Sequence, residues 1–348
     1  MNQAFSVAPT ADSRASTTIR RVEVRASSRL HFGLFSWGQD ARQFGGIGVM
    51  VERPGLQLVA ERLPSFAAAD EIASASETNA EAQVEVMRRI ADFQRSWLLH
   101  NRVSELPAIR WQVVEAPAPH VGLGTGTQLG LSVAAALYHL AGFAVPNVEQ
   151  LAQSVKRGLR SAIGAYGFCL GGLIIEPGKF AHETLSPLEQ RVAIPDSWRF
   201  ALVRPRAPAG LHGSEEIKAF GRLPPVPRET TDRLLELARQ EIVPAAKAAD
   251  FDRFSTSIFE YGWIAGNCFA PVQGGPFHGP TLTALVECIR GLGVCGVGQS
   301  SWGPTLFAVL PNEANARQFA KDLSEQFPEP LDIVLTAADN HGARIDVA

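Results

Sequence analysis

Apolar and polar positions alternate over residues 19–25, as they do in a half-buried strand. The segment 33–48 is rich in glycine, and a second strand is predicted over 56–61. Residues 81–100 put Val84, Met87, Ile90 and Leu98 on or near one face of a helix. A strand is predicted at 109–114, a helix at 128–141 stopped by Gly142, and a short strand at 173–175. In the second half, a strand at 200–204 leads into a loop over 205–227. Helical patterns follow at 231–249, 251–267, 281–290 and 312–326, with strands at 306–310 and 333–336. Phe254, Phe259 and Trp263 recur at helical spacing and read as core. Strands and helices mix without strict βαβ regularity, so the expected class is α+β. The turn-rich region 183–196 sets the expected boundary between a domain over 19–190 and a second over 191–348. Residues 1–18, rich in Ser, Thr and Ala, are expected to be a disordered leader.

Bulk properties narrow the class of partner. With 348 residues, 46% hydrophobic and 19% charged, the chain can bury two ordinary cores. A net charge of −3 gives no global basic field, so neither nucleic acid nor a membrane surface is an expected partner. Any anionic ligand must be held by a local cluster. No apolar stretch is long enough to span a bilayer and the leader lacks a signal-peptide core, so a cytoplasmic location is expected. Cys169, Cys268, Cys288 and Cys295 lack metal-ligand spacing and are expected to be reduced, mostly buried thiols.

The sharpest local feature is Pro119-His120-Val121-Gly122-Leu123-Gly124-Thr125-Gly126-Thr127-Gln128, which runs into an apolar helix. Alternate glycines let the backbone turn tightly and approach a ligand. The following helix offers free N–H groups and the positive end of its dipole to phosphate. Thr125 and Thr127 add hydroxyls that can bind an anion or cap the helix. The spacing fits neither the dinucleotide fingerprint nor the Walker loop, and a tight structural connection reads equally well from these residues alone. Two further glycine-rich turns, at 170–173 and 291–304, favour a ligand site.

With these residues in view, the sequence resembles the GHMP-kinase superfamily, whose Pro-x-x-x-Gly-Leu-Gly-Ser loop corresponds to Pro119–Thr127, with Thr125 in the serine's place. More narrowly, it resembles the β-ribofuranosylaminobenzene 5′-phosphate synthases of methanopterin biosynthesis. The match is carried by Ser28-Arg29-Leu30-His31-Phe32-Gly33-Leu34, Phe44-Gly45-Gly46-Ile47-Gly48, Gly122 to Leu129, and Arg160-Ser161-Ala162-Ile163-Gly164. Gly210-Leu211-His212-Gly213-Ser214-Glu215-Glu216 and Gly298-Gln299-Ser300-Ser301-Trp302-Gly303-Pro304 complete it. The resemblance implies a two-domain GHMP-kinase-like fold, an α/β domain with the phosphate loop followed by an α+β domain. It further implies a homodimer that uses phosphoribosyl pyrophosphate (PRPP), Mg2+ and an aromatic carboxylate, 4-aminobenzoate or a close para-substituted benzoate. The products would be the ribosylated aromatic 5′-phosphate, CO2 and pyrophosphate.

Departures from the kinases support this reading. Where related kinases carry Ala-Pro-Gly-Lys, this chain has Ala26-Ser27-Ser28-Arg29, without the lysine. Where many carry an aspartate base after a Pro-Ser-Gly turn, it has Arg160-Ser161-Ala162-Ile163-Gly164, with no carboxylate until Glu176. An ATP-dependent GHMP-type kinase is the alternative function, and a non-catalytic ligand-binding relative is a second.

The expected catalytic group is Arg29, His31, Arg160, Ser161 and His212. Arginines 29, 157 and 160, with Arg204 and Arg206, suit phosphate and carboxylate because their planar forks bind oxyanions in pairs. His31 and His212 either orient substrate or are buried hydrogen-bonded imidazoles. The expected binding set is Gly122, Gly124, Thr125, Gly126, Thr127, Gln128, Arg157, Gln299, Ser300, Ser301 and Trp302. Trp302 either stacks on an aromatic ring or anchors the core. Glu215 and Glu216 are the candidate magnesium ligands, with exposed helix-start glutamates the alternative reading.

Overall fold

The computed structural model describes residues 19–38, 42–64, 80–206, 221 and 223–348. The proposed leader and the segment carrying His212, Glu215 and Glu216 lie outside the described residues. Two long strands, β1 (Arg21–Leu34) and β2 (Gly46–Arg62), form the spine of the first sheet. With β3 (Ile109–Glu115), β4 (Leu173–Glu176), β5 (Gln190–Val192) and the C-terminal β10 (Arg344–Val347), they give the path β10-β1-β2-β4-β5, with β3 pairing β2. The second sheet runs β7 (Val297–Gln299), β8 (Leu306–Leu310), β6 (Arg199–Pro205), β9 (Leu331–Thr336). Every pairing is antiparallel.

The sheets do not divide the chain in sequence order. β5 straddles residue 190 and β10 returns to pair with β1, so the last strand of the chain completes the first sheet. Within the glycine-rich segment 33–48, Gly33, Gly46 and Gly48 lie in β1 and β2. At Gly48 the reason is close approach: a Cβ there would overlap the Leu30 carbonyl oxygen and sit 3.1 Å from Ile163 Cγ2. The glycine lets the neighbouring helix settle against the sheet.

Helices α1 (Ala80–Asn101), α2 (Thr125–Leu140), α3 (Val148–Ser154) and α4 (Ile163–Leu170) cover one face of the first sheet. α2 is apolar all round and its residues from Gln128 to Tyr138 are all buried, as expected of a helix enclosed by other elements. Each fully buried side chain such as Leu137 contributes about 1.5–3 kcal/mol through removal from water. The other face meets α5 (Arg228–Glu236), a π turn (Leu237–Ile242), α6 (Val243–Ala248) and α7 (Phe251–Asn267). α8 (Ala270–Gln273) follows, and α9 (Gly279–Gly291) and α10 (Glu313–Gln326) pack on the second sheet through Leu285, Ile289, Phe319 and Leu323. One apolar core, with Phe32, Phe254, Ile258 and Phe307, joins the two sheets. The element pattern is mixed helix and antiparallel sheet, as the sequence predicts.

Some local expectations are corrected. Of the aromatic residues read as core on α7, Phe254 is buried and Phe259 partly so, but Trp263, which packs its ring on Phe259 and Phe277, remains 45% exposed. None of the four cysteines is buried: Cys169 and Cys295 are exposed, Cys268 and Cys288 partly so, and all are free thiols. No described helix is long and apolar enough to cross a membrane.

Candidate active site

The glycine loop, the bulged end of β1, the 299–303 turn and one face of α7 enclose a cleft of about 440 Å³. Its shape depends on two glycine turns far apart in sequence that interlock. A Cβ on Gly122 (φ +90°) would overlap the Ser300 carbonyl oxygen, and one on Gly303 would overlap the Gly122 nitrogen. Ser300, fully buried, accepts a hydrogen bond from the His31 N–H (3.1 Å) and donates to the Gly122 carbonyl (2.7 Å). Ser301 N–H donates to the His31 carbonyl (3.1 Å), and Arg29 N–H to that of Leu123 (2.9 Å). The motifs around residues 29–31, 122–124 and 300–303 thus form one hydrogen-bonded unit. His120 and Ser301, both on the cleft wall, hold positive φ without being glycine, a strain typical of over-determined functional loops.

Five cations reach this wall: Arg29, Arg89, Lys156, Arg157 and Arg160. No carboxylate is among the described lining residues. Arg29 donates to Ser301 Oγ (3.1 Å) and lies against Gly124, where a Cβ would come within 3.1 Å of its Nε. A Cβ on Gly126 would overlap the Arg89 guanidinium, so the first turn of α2 and the α1 arginine are in close contact. Arg157 packs over the Phe93 ring at 4.9 Å, and its buried Nε has no hydrogen-bond partner among the described residues. Burial first, and the Arg89 charge second, push the Arg157 pKa down to about 10. Burial likewise lowers that of Arg89. Both remain cationic at neutral pH. A half-buried cluster of like charges with unmet donors is stabilised by an anion.

Beneath the cations lies a hydrogen-bonded chain. β1 is bulged between His31 and Gly33, which turns the imidazole toward α4. Gly33 N–H donates to His31 Nδ1 (3.1 Å), so the ring proton sits on Nε2, which donates to Ser161 Oγ (3.1 Å). Ser161 donates in turn to Glu176 Oε1 (2.6 Å), and Ala162 N–H donates to both carboxylate oxygens (2.9 and 2.8 Å). Glu176 is fully buried on β4. Burial pushes its pKa up to about 7, opposed chiefly by the Ser161 hydrogen bond. Burial, and secondly the Arg29 charge, hold His31 well below the ordinary imidazole value, so its ring is neutral.

The structure sorts the sequence-derived site residues. Arg29, His31, Gly122, Gly124, Thr125, Gly126, Thr127, Arg157, Arg160, Ser161, Gln299, Ser301 and Trp302 line the cleft. Gln128 and Ser300 do not. Gln128 is buried because α2 is enclosed on every side, and its amide donates to the Gly164 carbonyl of α4 (3.0 Å). Ser300 is the strut between the loops. Gln299 reaches the wall, but its amide is occupied, accepting from His278 N–H (2.8 Å) and donating to the Ser301 carbonyl (3.1 Å). Arg204 and Arg206 both pair with Asp332 (2.8 and 2.7 Å) at β9, outside the cleft. Trp302 satisfies both readings: it lines the cleft, and it packs edge-on to Phe269 in a small core with Leu34 and Trp37.

Sequence reasoning missed Arg89, Glu176 and the far wall. Arg89 sits in an ordinary amphipathic helix, and only the packing of α1 on α2 brings it to the loop. Glu176 was visible as the first carboxylate after the Arg160–Gly164 turn, but not as its hydrogen-bond partner. On the far wall, Gly262, Ala265, Gly266 and Phe269 present one face of α7 and its end to the cleft, with Gln273 beyond. That face has the composition of a packed helix, so nothing in its spacing marks a site.

Comparisons with known proteins agree with this architecture. A sequence family described as GHMP kinases C terminal matches residues 242–329. The β-ribofuranosylphenol 5′-phosphate synthase of Archaeoglobus fulgidus is 28% identical over 345 residues, covering 94% of this chain and 100% of that protein. The protein of the same name from Methanothermobacter thermautotrophicus is 27% identical over 337 residues, covering 92% and 97%. This chain is a homologue of these synthases with the GHMP-kinase fold. The crystal structure of homoserine kinase from Cytophaga hutchinsonii matches with a TM-score of 0.64 at 13% identity, covering 97% of this chain and 100% of that one, a likeness of fold alone. Across the synthase alignment, both the glycine loop and the wall formed by α7 fall inside the matched region.

Proposed function

We propose that this chain transfers ribose 5-phosphate from PRPP to a para-substituted benzoate with loss of the carboxylate. The acceptor is 4-aminobenzoate or 4-hydroxybenzoate, the second in keeping with the phenol in the names of its relatives. The products are the β-ribofuranosyl-arene 5′-phosphate, CO2 and pyrophosphate, on the route to tetrahydromethanopterin. The reading includes a cytoplasmic homodimer and a requirement for magnesium.

One observation carries the proposal: a cleft with five cations and no described carboxylate, closed on its other side by apolar residues. Both substrates are anions, one of them with a diphosphate leaving group. In the reaction, the ring carbon bearing the carboxylate forms a bond to the anomeric carbon. The anomeric C–O bond breaks and its electron pair leaves with pyrophosphate. The C–CO2 bond then breaks, and its pair returns to the ring. No proton is gained or lost overall, so a base on the wall is not required. Arg29, Arg157 and Arg160, with Arg89 and Lys156, stabilise charge growing on the leaving diphosphate. The first turn of α2 and Gly122–Thr127 suit a phosphate.

The described wall offers magnesium no carboxylate ligand, and no described group of three or more His, Cys, Asp or Glu residues suits a metal. Among the described residues, charge neutralisation falls to the cations. Glu176 and His31 act as supports: their chain through Ser161 fixes a neutral imidazole at the cleft. An ATP-dependent kinase has less support, since a hydroxyl nucleophile benefits from a nearby proton acceptor and no described lining residue supplies a carboxylate.

The test follows the phosphorus and the aromatic product together. With magnesium, PRPP and 4-hydroxybenzoate, phosphorus NMR should show PRPP replaced by pyrophosphate and a monoester, with a carbon–carbon-linked riboside in the aromatic fraction. Intact PRPP alongside phosphoryl transfer from ATP to a small alcohol would overturn the reading.

A further inference from the structure

The far wall of the cleft contains a polar group whose role the cationic wall does not explain. Gln273, at the end of α8, is 8% exposed and lines the cleft. Its Nε2, with two N–H groups, one of them shared, faces three carbonyl oxygens, of Gly266 (3.1 Å), Gly275 (2.9 Å) and Pro276 (3.1 Å). Those contacts fix which way the amide faces, because the opposite orientation would set Oε1 against three acceptors. Oε1 therefore points away from the carbonyls and accepts no hydrogen bond from any described residue. An amide held this firmly on the cleft lining, with its acceptor accessible and unpartnered by described residues, is a preformed receptor for a donor.

Its neighbours select the kind of donor. Gly262, Ala265 and Gly266 make a side-chain-poor floor, and Phe269 and Trp302, ring centroids 5.0 Å apart, stand beside it. The cations come from other elements: β1, α1 and the turn at 156–160. A flat ring fits the floor, and the phosphates belong with the arginines. The chemistry of the proposed reaction then orients the ring. Its carboxylate-bearing carbon must face the anomeric carbon and the cations, so the para position points the other way.

We infer that Gln273 Oε1 reads the para substituent of the aromatic acid, accepting a hydrogen bond from a 4-hydroxyl or 4-amino group, in a subsite floored by Gly262, Ala265 and Gly266. This assignment rests on the proposed reaction. It makes the site selective for para donors as a class, and tolerant between hydroxyl and amine because each can donate. A para methyl group fills nearly the same volume but covers the acceptor without pairing it.

Gly262 provides an independent handle. A Cβ there would meet only Gly298 Cα, at 4.0 Å, so the position has room for a side chain where it lines the cleft. Gly266 offers no such freedom, because a Cβ there would overlap the Pro276 carbonyl.

The experiment measures equilibrium binding of 4-hydroxybenzoate and 4-methylbenzoate, and separately of PRPP, to the wild-type protein, Gln273→Met and Gly262→Leu. Wild type is expected to prefer the hydroxy acid by about tenfold or more. Gln273→Met should lose that preference while keeping its affinity for the methyl acid, and Gly262→Leu should bind neither acid yet hold PRPP as wild type does. Equal wild-type affinities for the two acids, or an unchanged preference in Gln273→Met, would overturn the assignment. If Gln273→Met does not fold, the wild-type pair and Gly262→Leu still decide. Turnover of 4-hydroxybenzoate by Gly262→Leu with the wild-type KM sinks the subsite and leaves the reaction standing. A wild-type protein that binds neither acid sinks both.

Discussion

The two walls of the cleft are held by different means. The cationic wall is fixed by hydrogen bonds between turns far apart in the chain, with Ser300 bridging His31 and Gly122. The wall on α7 is held by packing, and at Gly262 it has open space in front of it. A wall built from mutual hydrogen bonds transmits a single defect to every loop in the unit. A packed wall with an open position can be reshaped without unfolding. On the proposed function, the difference also separates two jobs: placing charge accurately, and accommodating a ring.

Gly122→Ala should have the largest effect. The substitution combines a positive φ with overlap on Ser300, and should cost about 3 kcal/mol of stability along with PRPP binding. Denaturant midpoints check the first part and titration the second. A stable variant with normal PRPP affinity would break the interlock. Next comes Arg157→Met, which keeps packing on Phe93 but removes the charge. It should lower kcat/KM for PRPP by about a hundredfold, leaving the KM of the aromatic acid unchanged. An equal loss for both substrates would blur the division between walls.

Ser300→Ala should cost about 1–3 kcal/mol, because the His31 N–H and the Gly122 carbonyl each lose a buried partner. Thermal unfolding measures it, and an unchanged midpoint would mean that the turns are held by packing instead. The smallest readout is a pH slope. Glu176 has its pKa raised from the ordinary 4.5 to about 7, so the folded state binds that proton more tightly than the unfolded chain does. Its contribution to stability is full below 4.5 and falls as pH rises through 7. His31, with its pKa depressed below 6.5, works in the other direction, its contribution lost as pH falls. Glu176→Gln should flatten the decline between 4.5 and 7 while leaving the His31 limb in place. Parallel pH–stability curves for the two proteins would contradict the assignment.

The glycine loop and Arg29, Arg157 and Arg160 were legible in the sequence because a tight loop imposes local rules. Gly122 and Gly124 hold positive φ where the backbone turns, Gly126 makes room for Arg89, and the apolar helix after them must be buried. The α+β class was legible for the same reason, since the long strands and helices carry strong periods. What was not legible depends on tertiary packing. Gln128 reads as a loop contact until α4 covers it. Arg89 reads as surface until α1 meets α2. Gln273 is one glutamine in a Gly/Pro-rich turn, and only three converging carbonyls give its amide a direction. The short β5, β7 and β10 carry too few residues to show a period, and β10 is a strand because β1 offers it an edge.

The most direct test of the account is the fate of the aromatic carboxylate. With carboxyl-labelled 4-hydroxybenzoate, PRPP and magnesium, the wild-type protein should release labelled CO2 in equal amount to pyrophosphate, and only when both substrates are present. A folded protein that binds PRPP but releases no label from either the hydroxy or the amino acid would contradict decarboxylating ribosyl transfer.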